Sequence, residues 1–438
     1  MRETSVRKGA RTIGMAVYGD ITFDSRVRRE AATLARAGYR VCLVCLGDDG
    51  APGSLPEEVQ VVVRRPTRTA VVPRSANPYR DGAGRRVVQV ARRLQWLAGY
   101  VANVRAWGGS VRRACGPVDL WHLHDLPALA AVLPGLRDGV PVVYDTHELF
   151  LEAGTAARLP AVLRRLMRAY EGRLVAKASA VVTVNDGLAE VLRRRYRPRM
   201  LAVVHNCPNR WEPQIPRPTL LRDAAGIAME NPVILYHGSL GEHRGIEQLM
   251  EAVLKPGLEQ AHLVLLGYGE RQGQYRALAA QSRWGGRVHV LDPVAPSELL
   301  SWVASADVGA MPIQRSTLNH YLSTPNKLFE CLAAGVPVVA SDFPAMRRIV
   351  TADPAGPLGV LCDAASVDSV AAALQRILEL EPSEAAGMRA RCTAAARERW
   401  NWEHESGALT DLYADLLGGT SAPGAGVSAP RLGYEGRR

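Results

Sequence analysis

The stretch Ser323-Thr-Pro-Asn-Lys-Leu-Phe-Glu-Cys-Leu-Ala-Ala-Gly-Val-Pro-Val-Val-Ala-Ser-Asp342 decides how the rest of this chain is read. Ser323 or Thr324 suits a helix N-cap, Pro325 suits the first helical position, and Gly335 ends the helix before the apolar run Val336–Ala340. A short, continuous apolar run directly behind a helix is the pattern of a strand buried on both faces of a parallel sheet. The free amides of Asn326 and Lys327 at the helix start, with the lysine ammonium beside them, suit a diphosphate. One turn further on, Glu330 is placed to accept hydrogen bonds from a ribose diol.

The same strand-then-helix alternation runs outward from this stretch in both directions. In the first half, strands are expected at Thr12–Tyr18, Val41–Leu46, Val59–Val63, Leu120–His124, Pro141–Tyr144 and Ala180–Val184, with a helix over Val27–Ala37 ended by Gly38. In the second half they fall at Pro232–Tyr236, Ala261–Leu266, Val288–Leu291, Val308–Met311, Val336–Ala340 and Gly359–Leu361. The fold class is therefore α/β, with two Rossmann-like, doubly wound domains facing across a cleft. The division is an N-terminal extension (1–11), a first domain (12–205), a linker (206–231), a second domain (232–399), a C-terminal helix (400–417) and a tail (418–438) expected to be disordered. The linker rests on four prolines within Asn206–Pro218, and the tail on its Gly, Ser, Ala and Pro content.

A length of 438 residues suits two domains, and 47% hydrophobic with 22% charged residues excludes a disordered or collagen-like chain. The net charge of +11 is unevenly placed: residues 1–205 hold 33 basic and 18 acidic side chains, against 21 and 25 in the remainder. Such a one-sided field suits an anionic partner on the first half. The seven cysteines form no disulfide framework, and Cys42 and Cys45 fall on opposite faces of one strand, as ordinary buried thiols would. With neither a signal-peptide pattern nor a run of about 18 apolar residues, a cytoplasmic protein is expected.

Several short motifs now follow in order: Asp24-Ser-Arg-Val-Arg-Arg-Glu-Ala31, Asp119-Leu-Trp-His-Leu-His-Asp125, Val142-Val-Tyr-Asp-Thr-His-Glu148, His237-Gly-Ser-Leu-Gly-Glu-His-Arg-Gly245 and Leu265-Leu-Gly-Tyr-Gly-Glu270. Together with Ser323–Asp342 they resemble the retaining glycosyltransferases of the two-domain GT-B fold, group 1 or family 4 type. The resemblance implies that His124 stands near the reacting carbon with Asp125 beside it. It also implies that Arg244 and Lys327 neutralise the departing diphosphate. Gly19, Ser239, Gly267, Asn326 and Glu330 complete the donor site, and Asp20, His147 and Glu148 belong to the acceptor side of the cleft. The implied donor is a nucleotide-diphosphate sugar and the acceptor a sugar or lipid-linked molecule, with no cofactor and no metal, in cell-surface polysaccharide or glycolipid synthesis. Transfer would proceed by front-face attack, the diphosphate oxygen taking the acceptor proton.

The chain departs from the family pattern at Leu322, where the first member of a Glu-x7-Glu pair is common, at Ser239, where a first basic residue is common, and at Pro325, where many members have glycine. Two other readings stay open: a nucleotide-sugar epimerase or hydrolase on the same fold, and a non-catalytic scaffold that binds a membrane assembly partner, which Leu322 and Ser239 favour. Arginines 80 to 113, interleaved with Trp96, Tyr100 and Trp107, and the basic stretch 158–177 have the composition of helices that meet an anionic membrane at its inner face. Neither stretch carries a nucleic-acid-binding module.

Overall fold

The computed structural model describes residues 10–22, 24–47, 55–64, 83–154 and 156–418, and within 83–97 the backbone alone. The expected tail, most of the N-terminal extension and the side chains of the basic stretch 80–97 lie outside the described residues.

The first half runs β1 (Thr12–Asp20), α1 (Ser25–Arg36), β2 (Arg40–Leu46), β3 (Val59–Val63), α2 (Ala83–Cys115), β4 (Leu120–His124) and α3 (Asp125–Val132). It continues through β5 (Val142–Thr146), α4 (Ala161–Val175), β6 (Ala180–Thr183), α5 (Asp186–Tyr196) and β7 (Leu201–Val203). After α6 (Leu220–Ala225) come β8 (Val233–Ser239), α7 (Ile246–Ala252), β9 (His262–Tyr268), α8 (Gln272–Ala279), β10 (Val288–Leu291), α9 (Leu299–Ala304) and β11 (Val308–Met311). The chain then forms α10 (Leu318–Leu322), α11 (Asn326–Ala333), β12 (Val338–Ser341), α12 (Pro344–Thr351), β13 (Gly359–Cys362), α13 (Val367–Leu378), α14 (Pro382–Glu398) and α15 (Trp402–Leu417).

Two sheets result, ordered β3-β2-β1-β4-β5-β6-β7 and β10-β9-β8-β11-β12-β13, and their strand pairs are parallel. The order reverses between β1 and β4 and again between β8 and β11, so each sheet opens a crevice at the carboxyl ends of those strands. Continuous burial of Ile13–Val17 and of Val142–Thr146 accounts for the unbroken apolar runs in the sequence. Cys42 and Cys45 do face opposite sides of the sheet, the first among Trp107 and Leu123, the second among Leu34 and Tyr413.

Three local readings change. Strand β7 has three half-exposed residues, too few to give an apolar run. Helix α6 occupies part of the segment expected to be linker. Pro325, extended at φ −69° and ψ 142°, is the residue before α11 rather than its first turn, and no side chain caps the helix. Ser323 instead donates to His320 O at 2.8 Å, and Thr324 Oγ1 accepts from Asn185 Nδ2 at 3.2 Å.

Helix α15 crosses back to the first sheet. Asn401 caps it, and Trp402, Leu409, Leu412 and Tyr413 enter the core formed by α1 and the first sheet. The Trp402 indole donates to Thr33 Oγ1 at 2.8 Å. Trp402→Ala therefore removes a 2% exposed aromatic and orphans a buried hydroxyl; we expect a loss of about 3–5 kcal/mol, read as a lower urea midpoint for the first domain.

Candidate active site

Helix α1 starts where Asp24 Oδ1 accepts from the amides of Arg26 and Val27, both at 3.2 Å. Its core-facing side carries Arg26, Val27, Glu30, Ala31 and Leu34, so an arginine and a glutamate one turn apart are delivered into the interior. Arg26 donates through Nε and Nη2 to the two oxygens of Asp145, each at 3.0 Å, and through Nη1 to Val204 O at 2.7 Å. Glu30 Oε1 lies 3.0 Å from the same Arg26 Nε. His122 and His124, on one face of β4, stack with ring centroids 4.5 Å apart. His122 sits between Tyr413 Oη, 2.6 Å from Nδ1, and the oxygens Glu30 Oε2 and Asp145 Oδ2, 3.3 and 3.4 Å from Nε2. His124 Nδ1 lies 3.1 Å from His147 Nε2 and 3.5 Å from Asp145 Oδ2.

Charge in this cluster is sharply sorted. Burial opposes ionisation of Asp145, but Arg26 and His147 hold its carboxyl well below the usual range. Burial pushes Glu30 well above that range, with Arg26 opposing and Asp145 adding, so Glu30 is the protonated partner. Burial and the neighbouring His122 lower His124 to about 3, leaving it neutral. His147 is also desolvated, yet Asp125 and Asp145 outweigh that and raise it to about 10. Glu30, His122, His124 and Asp145 each bring one metal-ligating atom to within 4.8 Å of the others. The cation at that point is already present as Arg26, 3.0 Å from an oxygen of Glu30 and from one of Asp145.

Above the cluster lies a cleft of about 470 Å3, lined by Asp20, Asp24 and His147 from the first domain and by Tyr268, Thr324 and Asn326 from the second. Asp125, next to His147, has φ 59°, a left-handed conformation costly for a residue with a Cβ, and accepts from His147 N at 3.1 Å. Glu148 accepts from Asn319 Nδ2 at 3.1 Å, and Asn319 Oδ1 accepts in turn from Leu149 N at 3.0 Å. The two domains thus meet across Asn319 and across Asn185, which donates to Leu322 O at 2.9 Å.

The second domain contributes a cationic rim. Gly238, the penultimate residue of β8, has φ 99°, and the neighbouring Gly267 must lack a side chain because a Cβ would come within 1.9 Å of Gly238 O. Lys327 Nζ lies 3.5 Å from the centre of the Tyr236 ring. Burial, with Arg244 adding, lowers this lysine to about 7. Arg244 is half-buried on a loop held by His243 (φ 61°) and Gly245 (φ 74°). Glu330 meets His237 Nε2 at 2.8 Å; burial opposes its ionisation, but His237 and then Arg29 and Lys327 keep it ionised.

Among the residues expected from the sequence, Asp20, His147 and Asn326 line the cleft. Lys327, Glu330, Gly267, Ser239 and Arg244 gather at the strand ends of the second sheet. Ser239 is exposed, and its carbonyl accepts from Tyr236 Oη. A Cβ on Gly19 would meet only Val17 Cγ2, at 3.8 Å, so the protein's own packing does not demand a glycine there. His124, which the resemblance implies near the reacting carbon, is fully buried together with His122 among Arg26, Glu30, Asp145 and Tyr413, and His147 is the imidazole that lines the cleft. Arg26, Glu30, Asp145, Asn185, Asn319 and Tyr413 had not been assigned to the site. One signal for them was present: Arg26 and Glu30 share the helical face of Val27, Ala31 and Leu34.

Residues 25–209 match the family described as Glycosyltransferase Family 4, and residues 231–380 match Glycosyl transferases group 1. The D-inositol 3-phosphate glycosyltransferase of Xylanimonas cellulosilytica is 30% identical over 73% of this chain and 76% of that protein. The phosphatidyl-myo-inositol mannosyltransferase of Mycolicibacterium smegmatis is 27% identical over 73% of this chain and 78% of its own length. Among solved structures, sucrose-phosphate synthase from Thermosynechococcus elongatus superposes with a TM-score of 0.71 at 18% identity, covering 93% of this chain and 99% of that one.

Because the folded protein holds the His147 proton to about pH 10 and the unfolded chain releases it near 6.5, stability from this group is complete below 6.5 and declines as pH rises towards 10. The limiting slope is about 1.4 kcal/mol per pH unit. Urea midpoints between pH 6.5 and 9.5 should fall more steeply for the wild type than for His147→Gln; equal slopes would remove this charge assignment.

Proposed function

Since this chain belongs to the group 1 glycosyltransferases of the family 4 type, we propose that it moves a sugar from a nucleotide-diphosphate donor to a hydroxyl of a sugar, inositol or lipid-linked acceptor, with retention at the anomeric carbon. The observation that carries the donor assignment is the start of α11. There Asn326 lines the cleft at a helix N-terminus, and Lys327 stands behind it near Arg244. A diphosphate bound there offsets the desolvation that lowers Lys327 and draws a full positive charge onto it. Arg244, flanked by two left-handed residues, adds the second charge on the leaving group. Glu330, ionised and oriented by His237, accepts from the ribose hydroxyls.

The chemical step follows from what the carboxylates nearby are doing. Asp20 accepts from Thr22, Asp125 from the His147 amide and Glu148 from Asn319. Each of these carboxyl groups thus has a positioning role, and front-face transfer requires no carboxylate nucleophile. In front-face transfer the bond from the anomeric carbon to the diphosphate oxygen breaks as the bond to the acceptor oxygen forms, and the acceptor proton passes to the departing diphosphate. His147, cationic at the cleft surface, stabilises negative charge on the donor side, while neutral His124 beneath it fixes its position. The bridges through Asn185 and Asn319 hold the domains closed and limit water at the reacting carbon. The acceptor class draws support from the relative named for D-inositol 3-phosphate.

We further propose that the first domain works against an anionic membrane surface. On α4, Val162 and Leu166 are 74% and 62% exposed and align with exposed Tyr170 at four-residue intervals, beside exposed Arg165, Arg173 and Lys177. The relative named for a phosphatidylinositol acceptor supports this reading. Among the described residues, no helix is long and apolar enough to cross a membrane.

Two experiments test these proposals. A screen of common nucleotide sugars by mass spectrometry should yield transfer that Lys327→Ala abolishes without lowering the thermal midpoint; full activity in that variant would overturn the donor site. Co-sedimentation with phosphatidylglycerol vesicles should weaken as salt rises and in Leu166→Asp, whereas equal binding to phosphatidylcholine vesicles would refute the anionic surface.

A further inference from the structure

A second cavity, of about 270 Å3, lies at the other end of the second sheet, where Pro232, Asp307 and Pro337 precede β8, β11 and β12. Three arginines line it, Arg217, Arg222 and Arg389, with Ile377, Leu378 and Leu380 forming an apolar side. Its inner carboxylate, Asp307, is fully engaged: it accepts from Val233 N at 2.8 Å, from Arg222 Nη2 at 2.6 Å and from Arg217 Nη2 at 3.1 Å. Glu230 stands exposed at the rim.

What remains is unmatched positive charge. The Arg222 side chain is 8% exposed; Nη1 donates to Ser305 O at 2.9 Å and Nη2 also to Asn231 O at 3.2 Å, while Nε has no hydrogen-bond partner. Arg217 donates to Ala304 O and Ala306 O at 3.0 and 2.6 Å. Arg389 is half-buried, and among the described residues its guanidinium makes neither a hydrogen bond nor an ion pair. Burial, then Arg217, lowers it to about 10, the shift of a cation kept from water without an adequate counter-charge. A partly desolvated guanidinium without an internal partner, lining a cavity with one cationic and one apolar side, fits a planar or tetrahedral oxyanion.

We propose that this cavity binds a small phosphate-bearing anion, held by Arg389 and Arg222 with Arg217 at its edge. Three guanidinium groups against Asp307 and the rim carboxylate Glu230 leave the cavity net positive, and the volume admits inorganic phosphate or a short phosphate monoester. The site joins the two passages between the domains. Arg217 lies on the outgoing segment, and Arg389 lies on α14, which leads into the returning helix α15.

The probe is inorganic phosphate, titrated at constant ionic strength against chloride and followed by the thermal midpoint and by calorimetry. Lys327→Ala serves as the background to weaken phosphate binding in the donor cleft, and the change on substituting Arg389 reports the second site. Phosphate should stabilise this protein, and Arg389→Ala or the bulkier Arg389→Gln, added to it, should weaken binding at least tenfold. An absence of phosphate-specific stabilisation, or unchanged affinity in both Arg389 variants, would overturn the site. Neither result bears on the donor assignment, which is read from transfer activity.

Discussion

The buried pair of Arg26 and Asp145 is the interaction on which the first domain's chemistry rests. Moving either ion from water into a protein interior costs several kcal/mol, and mutual attraction offsets that only when the geometry is good and the remaining donors are satisfied. Both conditions hold: the contact is bidentate, and the third arginine nitrogen donates to Val204 O at the end of the sheet. With Asp145 fixed as an anion, each neighbour takes a definite state. Glu30 keeps its proton, His122 and His124 stay neutral, and His147 becomes the cation at the cleft surface. Removing Arg26 would leave one carboxylate to arbitrate among three imidazoles with nothing to anchor its charge.

The same economy governs how the domains meet. Asn185 caps α5 with its oxygen, which accepts from Leu188 N, and spends its amide donors on Leu322 O and Thr324 Oγ1 across the cleft. Leu322 stands where a sugar-contacting glutamate is common in the family, and here its side chain packs against the core of the first domain. That substitution exchanges a polar contact with ligand for an apolar contact between domains, which explains why it coexists with a rim that keeps Arg244 and Lys327. It is not in itself a sign of a disabled site.

Most of the architecture was legible because parallel strands buried on both faces declare themselves as apolar runs. Val59–Val63, Leu120–His124, Val288–Leu291 and Val308–Met311 were bounded to the residue. The cap of α11 was misread because Ser323 and Thr324 have the right chemistry for it, yet their hydroxyls are drawn to His320 and Asn185, partners that only the tertiary fold supplies. The donor rim was readable as a short local motif. The buried cluster was not, since Arg26, His122, Asp145 and Tyr413 come from four separate elements, and no spacing along the chain foretells that Asp145 rather than His124 is the hub.

Tyr413 has a consequence for the order in which the chain can be completed. Its hydroxyl, 2.6 Å from His122, reaches back across 291 residues to the strand it supports. Trp402 meets Thr33 across 369. During synthesis from the N-terminus the first sheet therefore emerges with the groove for α15 uncovered and with His122 lacking its partner, and it stays so while the whole second domain is made. The first half to appear is the last to be finished, and its final closure waits on the helix that follows the second domain.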